Sequence, residues 1–281
     1  MNAPIISLTD WLETPPGSYL LAWEREQFDR AVSDIFGYHA LQLGLSELDT
    51  LSANRMPHRW LAPLTVPGHS KEVSGAGHVP ANSGETLTTP ESSRPQAAFI
   101  TDSSALPFPA NSLDLVVLPH TLELSHDPHA TLREVERVLV PEGRVVICGF
   151  NPTSLWGLRQ RRARLCQRLG HEDVFLPGAP EFIGYWRLRD WLRLLSFEVE
   201  SGRFGCYRPA FPSQKWLARF DWMDKAGDRW WPIFGAVYFL IAVKRVRGVR
   251  LLEPAWKSHP VVVAPTAVAN KESVRPIGPQ A

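Results

Sequence analysis

The sequence predicts an α/β protein built on a mostly parallel sheet with helices on both faces, and three observations carry that expectation. Residues 116–118 and 145–147 are apolar without alternation, the pattern of strands covered on both sides. Between them a helix is signalled at both ends: Asp127 can cap it, Pro128 suits its first position, and the turn Pro141-Glu142-Gly143 closes it. Residues 99–150 then read strand, turn, strand, helix, strand, and strands joined through a helix pair in parallel.

The helix between the two buried strands is amphipathic. Leu132, Val135, Val138 and Leu139 form one apolar stripe, with Arg133, Glu134, Glu136 and Arg137 on the other face. Ahead of this unit, a short segment at 8–13 leads into a helix beginning near Gly17 and Ser18. Its apolar face is expected to be Leu21, Phe28, Val32 and Ile35, with Glu24, Arg25, Glu26 and Asp29 largely elsewhere. Gly37 ends it, and residues 38–43 form the first sheet strand. Gly44 follows where a nucleotide-binding α/β fold places its glycine-rich turn, but it stands alone between Leu43 and Leu45.

Residues 48–61 have room for a short helix limited by Pro57 and Pro63, and no clear second strand follows. Residues 67–95 turn to Pro, Gly, Ser, Thr and Asn and are expected to be a disordered insertion in a single domain covering 1–250. After Phe150, Asn151 or Thr153 starts a helix carrying Arg159, Arg161, Arg162, Arg164 and Arg168. Leu188, Trp191, Leu192 and Leu195 recur at helical spacing. A strand at 197–204, a helix at 216–230 broken by Pro232, and a buried strand at 235–246 complete the domain. Residues 251–281 are expected to be a disordered, proline-rich tail.

At 281 residues, 44% hydrophobic and with a formal net charge of +1, the chain buries one substantial core and has no overall attraction to nucleic acid or membrane. Cys148, Cys166 and Cys206 pair in no metal-ligand spacing, so no metal site is expected. The longest apolar run, 233–243, is well short of the ~20 residues that a membrane span requires. With no charged-then-apolar leader in residues 1–7, the expected location is the cytoplasm.

Asp102, Leu106-Pro107-Phe108-Pro109, Ser112-Leu113-Asp114, His126-Asp127-Pro128 and Arg137-Val138-Leu139-Val140-Pro141-Glu142-Gly143 stand in the order found in a known family. Through them residues 102–150 resemble the core of the class I S-adenosylmethionine-dependent methyltransferases, of the type 11 kind. The resemblance implies a Rossmann-like sheet, mostly parallel with an antiparallel last strand. Residues 36–39 and 149–152, with the incomplete glycine loop, are most similar to a set of uncharacterised proteobacterial methyltransferase-domain proteins.

That resemblance implies S-adenosylmethionine as cofactor and a methyl acceptor that the sequence does not name. It places Asp102 where the family accepts a hydrogen bond from the adenine amino group, with Ser103 beside it, and Gly44 at the cofactor loop. Leu118, Pro119 and His120 match the segment passing near the methionine and the transferring methyl. His120, with an unperturbed pKa of about 6.5, suits a general base for an oxygen or nitrogen acceptor. Asp114 is expected to anchor a turn. The family's acid at the end of the second strand has no counterpart in residues 60–68, leaving Glu47 or Asp49 as local substitutes.

Two other readings compete with the enzyme. A non-catalytic descendant would keep the fold as a binding or scaffolding module, and an RNA-associated protein would work through the arginines at 159–168. Tryptophans 156, 186, 216, 222, 230 and 231 lie in segments that should cover the carboxyl edge of the sheet, as an aromatic cap or as core.

Overall fold

The computed structural model describes residues 8–64, 101–168 and 182–245, all within a compact unit spanning Met1–Val246. The insertion expected at 67–95 and the tail expected at 251–281 lie outside the described residues. The helices are α1 (Leu8–Leu12), α2 (Pro15–Ser33), α3 (Thr121–Leu124), α4 (Pro128–Val138), α5 (Leu155–Arg168), α6 (Tyr185–Leu194), α7 (Gln214–Arg219) and α8 (Trp222–Trp230). The strands are β1 (His39–Leu43), β2 (His58–Ala62), β3 (Leu113–Pro119), β4 (Leu139–Phe150), β5 (Phe197–Gly205) and β6 (Val237–Lys244).

These strands make one six-stranded sheet in the order β2-β1-β3-β4-β6-β5. β1 pairs in parallel with β2 and β3, and β3 with β4, whereas β6 runs antiparallel to both β4 and β5. The chain therefore leaves β1 toward one edge and returns to β3 on its other side, which creates a topological switch point between β1 and β3. Ligands in open α/β sheets bind outside the carboxyl ends of the strands at such a point.

Each face of the sheet buries its own core. Leu115, Val117, Val146 and Phe239 point to the face covered by Leu20, Phe28 and Val32 of α2. Val116, Leu118, Val145 and Ile147 point to the other, against α4 and α6. This alternation across uninterrupted apolar strands is what the sequence pattern required. Helix α4 forms as its ends dictate: the Asp127 carboxylate accepts the N–H groups of His129 and Ala130 at 2.9 and 3.0 Å. At the other end the buried Lys244 Nζ donates to the carbonyls of Glu136 and Leu139 at 2.6 and 2.8 Å. Asp114 acts at the amino edge, where its carboxylate accepts the N–H groups of Tyr38 and His39 and pins the start of β1.

Five expectations need correction. A second strand does exist, since His58–Ala62 pairs with β1 along its whole length, and residues 48–57 are turns and coil, with no helix. The helix expected at 216–230 is two helices, interrupted at Phe220 and Asp221. Pro141-Glu142-Gly143 lies inside β4, where Glu142 takes φ 64° and the pairing with β3 shifts register between Leu113 and Leu115. On α2, Glu24 is buried and Leu21 only half-buried, so the inward stripe runs Leu20, Glu24, Gln27 and Phe28. Of the strand expected to open the 99–150 stretch, only Thr101 is among the described residues, and it bridges Leu64 in parallel.

Candidate functional site

The carboxyl ends of β1 and β3 meet at Gly44. Its φ of +105° lets the chain turn off β1 in a conformation that L side chains rarely adopt. A Cβ there would lie 2.8 Å from Thr121 Oγ1 and 3.5 Å from the Pro119 carbonyl. The Thr121 hydroxyl donates to the Leu43 carbonyl, stitching the two strand ends together. Gly44 and the segment 118–120, picked out separately in the sequence, are thus adjacent. Leu118 itself is buried in the core against α4 and α6, and Pro119 is buried as the last residue of β3.

Behind this junction lies a fully buried polar network. His120 has φ 53°, and both its ring nitrogens are engaged: Nδ1 with Glu123 Oε2 at 2.8 Å and Nε2 with Glu24 Oε1 at 2.6 Å. Glu123 Oε1 accepts the Phe150 N–H at 2.5 Å, and the Cys148 thiol donates to Glu24 Oε1 at 3.3 Å. Glu24 Oε2 is buried with no partner. The network joins α2, the end of β3, α3 and the end of β4, which are the elements that surround the switch point.

Burial is the largest influence on His120 and acts to lower its pKa, but the carboxylates of Glu24 and Glu123 outweigh it and lift the imidazole to about 10. Glu123 is itself raised, because burial costs its charge more than His120 and the Phe150 N–H return. We take His120 as an imidazolium donating to both sides. In this arrangement it has no ring nitrogen left for an acceptor. Burial likewise pushes up the Cys148 thiol and the Tyr238 phenol. Glu24, His120 and Cys148 bring an oxygen, a nitrogen and a sulfur within 4.8 Å of one another, but the 2.6 Å between Oε1 and Nε2 is hydrogen-bond spacing.

Asp102 lies one residue beyond the Thr101 bridge and is exposed. Its Oδ1 accepts the Ser104 N–H at 2.9 Å, and that bond is the main reason its carboxyl is held below the ordinary aspartate value. Ser103 points inward, and its hydroxyl is shared with Ser125 at 3.0 Å and Thr131 at 2.8 Å. It ties the Asp102 turn to α4.

The loop after Gly44 is held from below. Gln42 is buried, donates to the carbonyls of Leu45 and Leu48 at 2.6 Å each, and accepts the Thr50 N–H and hydroxyl. Leu45 and Leu48 are buried in the α2-side core, and Ser46 and Glu47 are exposed. At the end of β2 stand Ala62, Pro63 and Leu64, with no carboxylate. Asp49 Oδ1 accepts the Leu51 N–H at 3.1 Å and so holds the turn that follows.

Glu24 was the residue that sequence reasoning missed, although the signal was present: it lies four residues after Leu20 and four before Phe28, both fully buried. A cavity of about 550 Å³ is lined by Trp23 and Gln27 of α2, Arg203 and Tyr207 around the end of β5, and Asp224 of α8.

Residues 83–147 match the family model described as a methyltransferase domain. The chain is 42% identical over 98 residues to the uncharacterized protein YafS of Escherichia coli (strain K12), covering 35% of this chain and 38% of that protein. It is 41% identical over 58 residues to a malonyl-[acyl-carrier protein] O-methyltransferase of Halorhodospira halophila (strain DSM 244 / SL1), covering 21% of this chain and 20% of that one. These matches span well under half the length of either relative. Among solved structures, a chain in the complex between the Haloferax volcanii Trm112 methyltransferase activator and a methyltransferase is similar at a TM-score of 0.50 and 15% identity. That likeness covers 86% of this chain and 97% of that one. The sheet thus has the class I methyltransferase fold, and residues 83–147 within it match a methyltransferase-domain model.

Proposed function

We propose that the protein is an S-adenosylmethionine-dependent methyltransferase whose cofactor lies over the switch point between β1 and β3. The observation that carries this reading is the pairing of Gly44, with φ +105° against the 119–121 segment, and an exposed Asp102 carboxylate at the turn after the Thr101 bridge. These residues fit the two ends of such a ligand: a backbone turn open to close approach, and an acceptor for the adenine amino donors.

The bound sulfonium would supply an already activated methyl group, so the protein's work is to bind, align and exclude water. Asp102 would take the adenine amino group through Oδ2, since Oδ1 is held by Ser104. Ser103 fixes that turn through Ser125 and Thr131. Thr121 holds the β1 and β3 ends at a set spacing. We assign His120 a positioning role: its proton bonds to Glu24 and Glu123 fix the backbone at 119–121 from behind. The ribose lacks its usual acid at the end of β2, and Ser46 and Glu47 are the exposed polar side chains nearest in sequence to Gly44.

Calorimetric titration with S-adenosylmethionine and with S-adenosylhomocysteine tests this reading. Saturable binding of either is expected, and no binding at millimolar ligand would defeat it. A second reading, a non-catalytic module that keeps the fold, draws on the Gln42-anchored loop and the missing acid at β2. Binding of the demethylated product without methyl transfer to any acceptor would favour that one.

A further inference from the structure

We propose that the corner of the molecule formed by α5, α7, α8 and the turn Pro232–Phe234 is a docking surface for an anionic phospholipid bilayer. This inference is independent of the cofactor reading. Trp216, Trp222, Trp230, Trp231, Ile233 and Phe234 fall within nineteen residues of chain, and each is about half exposed or more, Trp230 reaching 70%. On α5, Leu155, Leu158 and Leu165 are 53 to 63% exposed. Their spacing of three and then seven residues sets them along one helical face. Large apolar side chains concentrated this way on a surface mark an interaction site.

The two segments form one corner. Asn151 Nδ2, just before α5, donates to the carbonyls of Ile233 and Gly235 at 2.7 and 2.9 Å. Trp156 Nε1 donates to the Arg208 carbonyl at 2.7 Å, and the Arg159 guanidinium donates to that of Ala210. The base of α5 is thereby fixed to both ends of the α7–α8 stretch, at the edge where β4 and β5 end and β6 begins.

Charge says what the surface meets. Helix α5 carries five arginines and no acid, and Arg161 and Arg162 are exposed among its leucines. Lys215 and Arg219 on α7, and Lys225 and Arg229 on α8, are also exposed. Of the acids nearby, Asp221 and Asp224 are paired with Arg208, and the exposed Asp228 lines the same cavity as Lys225 and offsets it, which leaves Arg161, Arg162, Lys215, Arg219 and Arg229 as the excess of charge. Tryptophans interleaved with cations suit the headgroup level of a membrane, where indoles settle and phosphates attract arginine. RNA would use the arginines and the indole faces, but it offers nothing to Leu155, Leu158, Leu165 and Ile233, which have no ring to stack on. No described helix is long and apolar enough to cross a membrane.

Flotation of the full-length protein with phosphatidylcholine vesicles, with and without phosphatidylglycerol, tests the proposal. Binding to the phosphatidylglycerol vesicles alone, weakened by salt and accompanied by a blue shift of tryptophan emission, is expected. The double variant R161S/R162S should bind about thirtyfold more weakly, at about fivefold per cation near the surface. W230S/W231S should bind more weakly and show a smaller emission shift, with Trp216 and Trp222 left to report contact, and both variants should melt with the wild type because these side chains are exposed. Absence from anionic vesicles, equal binding to neutral ones, or retention on single-stranded RNA without vesicle binding would each overturn it.

Discussion

Glu24 of α2 and His120 after β3, ninety-six residues apart in sequence, meet at 2.6 Å with both side chains fully buried. The contact clamps the amino-terminal helix to the switch point of the sheet. Replacing Glu24 with Gln keeps the volume but withdraws the charge facing the imidazolium. Breaking a buried pair by removing one partner typically costs about 3–5 kcal/mol. The variant is expected to lose stability on that scale in urea unfolding, and its His120 ring should titrate at lower pH by NMR. An unchanged midpoint would mean that the clamp contributes nothing.

The same pair sets a pH dependence. His120 rises from 6.5 in the unfolded chain to about 10 in the fold, so the folded state binds the proton more tightly. Its contribution is complete below pH 6.5 and falls away as pH rises through about 10. Glu123 is also raised, which gives the same sign: its contribution weakens as pH climbs above the ordinary glutamate range. The difference in unfolding free energy between wild type and His120→Gln should therefore shrink from neutral pH to pH 10. A difference that grew over that range would contradict the imidazolium assignment.

At Gly44 the prediction is steric and conformational together. Alanine there must hold φ +105° and bring its Cβ within 2.8 Å of Thr121 Oγ1. Backbone strain of this kind costs on the order of 1–3 kcal/mol. Gly44→Ala is expected to lower the melting temperature, and combining it with Thr121→Ala should recover only the steric part. Full recovery in the double variant would show that the turn itself is relaxed.

Where the sequence was readable, a local rule coincided with the tertiary demand. Asp127 before Pro128 capped α4 because the same residues satisfy its free N–H groups, and the runs around Val116 and Val145 were strands because both faces are covered. Strand β2 escaped notice because its five residues lie between Pro57 and Pro63 and begin with exposed His58 and Arg59, so no apolar run announces it. Glu24 escaped because a carboxylate is read as surface unless its partner is known, and the partner lies far along the chain. Five of the six tryptophans expected near the carboxyl edge are exposed, and only Trp156 is core, set edge-on to Trp11 at 5.8 Å. Composition cannot tell an aromatic that fills a core from one that awaits a partner.

Lys244 offers a test of the fold apart from the site. Its buried ammonium donates to Asn111 Oδ1 at 3.0 Å and to the carbonyls of Glu136 and Leu139, closing the last turn of α4 against β6. Methionine would fill the space but leave the buried Leu139 carbonyl without this donor, and an unserved buried group costs about 1–3 kcal/mol. Lys244→Met should be destabilised by at least that amount in denaturant unfolding, and a neutral result would show that water reaches that carbonyl.

Asp102→Asn tests the proposed cofactor recognition apart from stability. Because Oδ1 already accepts the Ser104 N–H at 2.9 Å, an asparagine there would keep that bond with its own Oδ1 and turn its amide NH₂ to where Oδ2 stood. A donor would then face the adenine amino donors. Asp102→Asn preserves the turn and removes only the acceptor, so its melting temperature should match the wild type, as for surface substitutions generally, within about 0.5 kcal/mol. Loss of a hydrogen bond to a charged group, about 1.5–3 kcal/mol, corresponds to S-adenosylmethionine affinity roughly ten- to hundredfold weaker. Equal affinity in the two proteins would remove Asp102 from the site while leaving the fold assignment untouched.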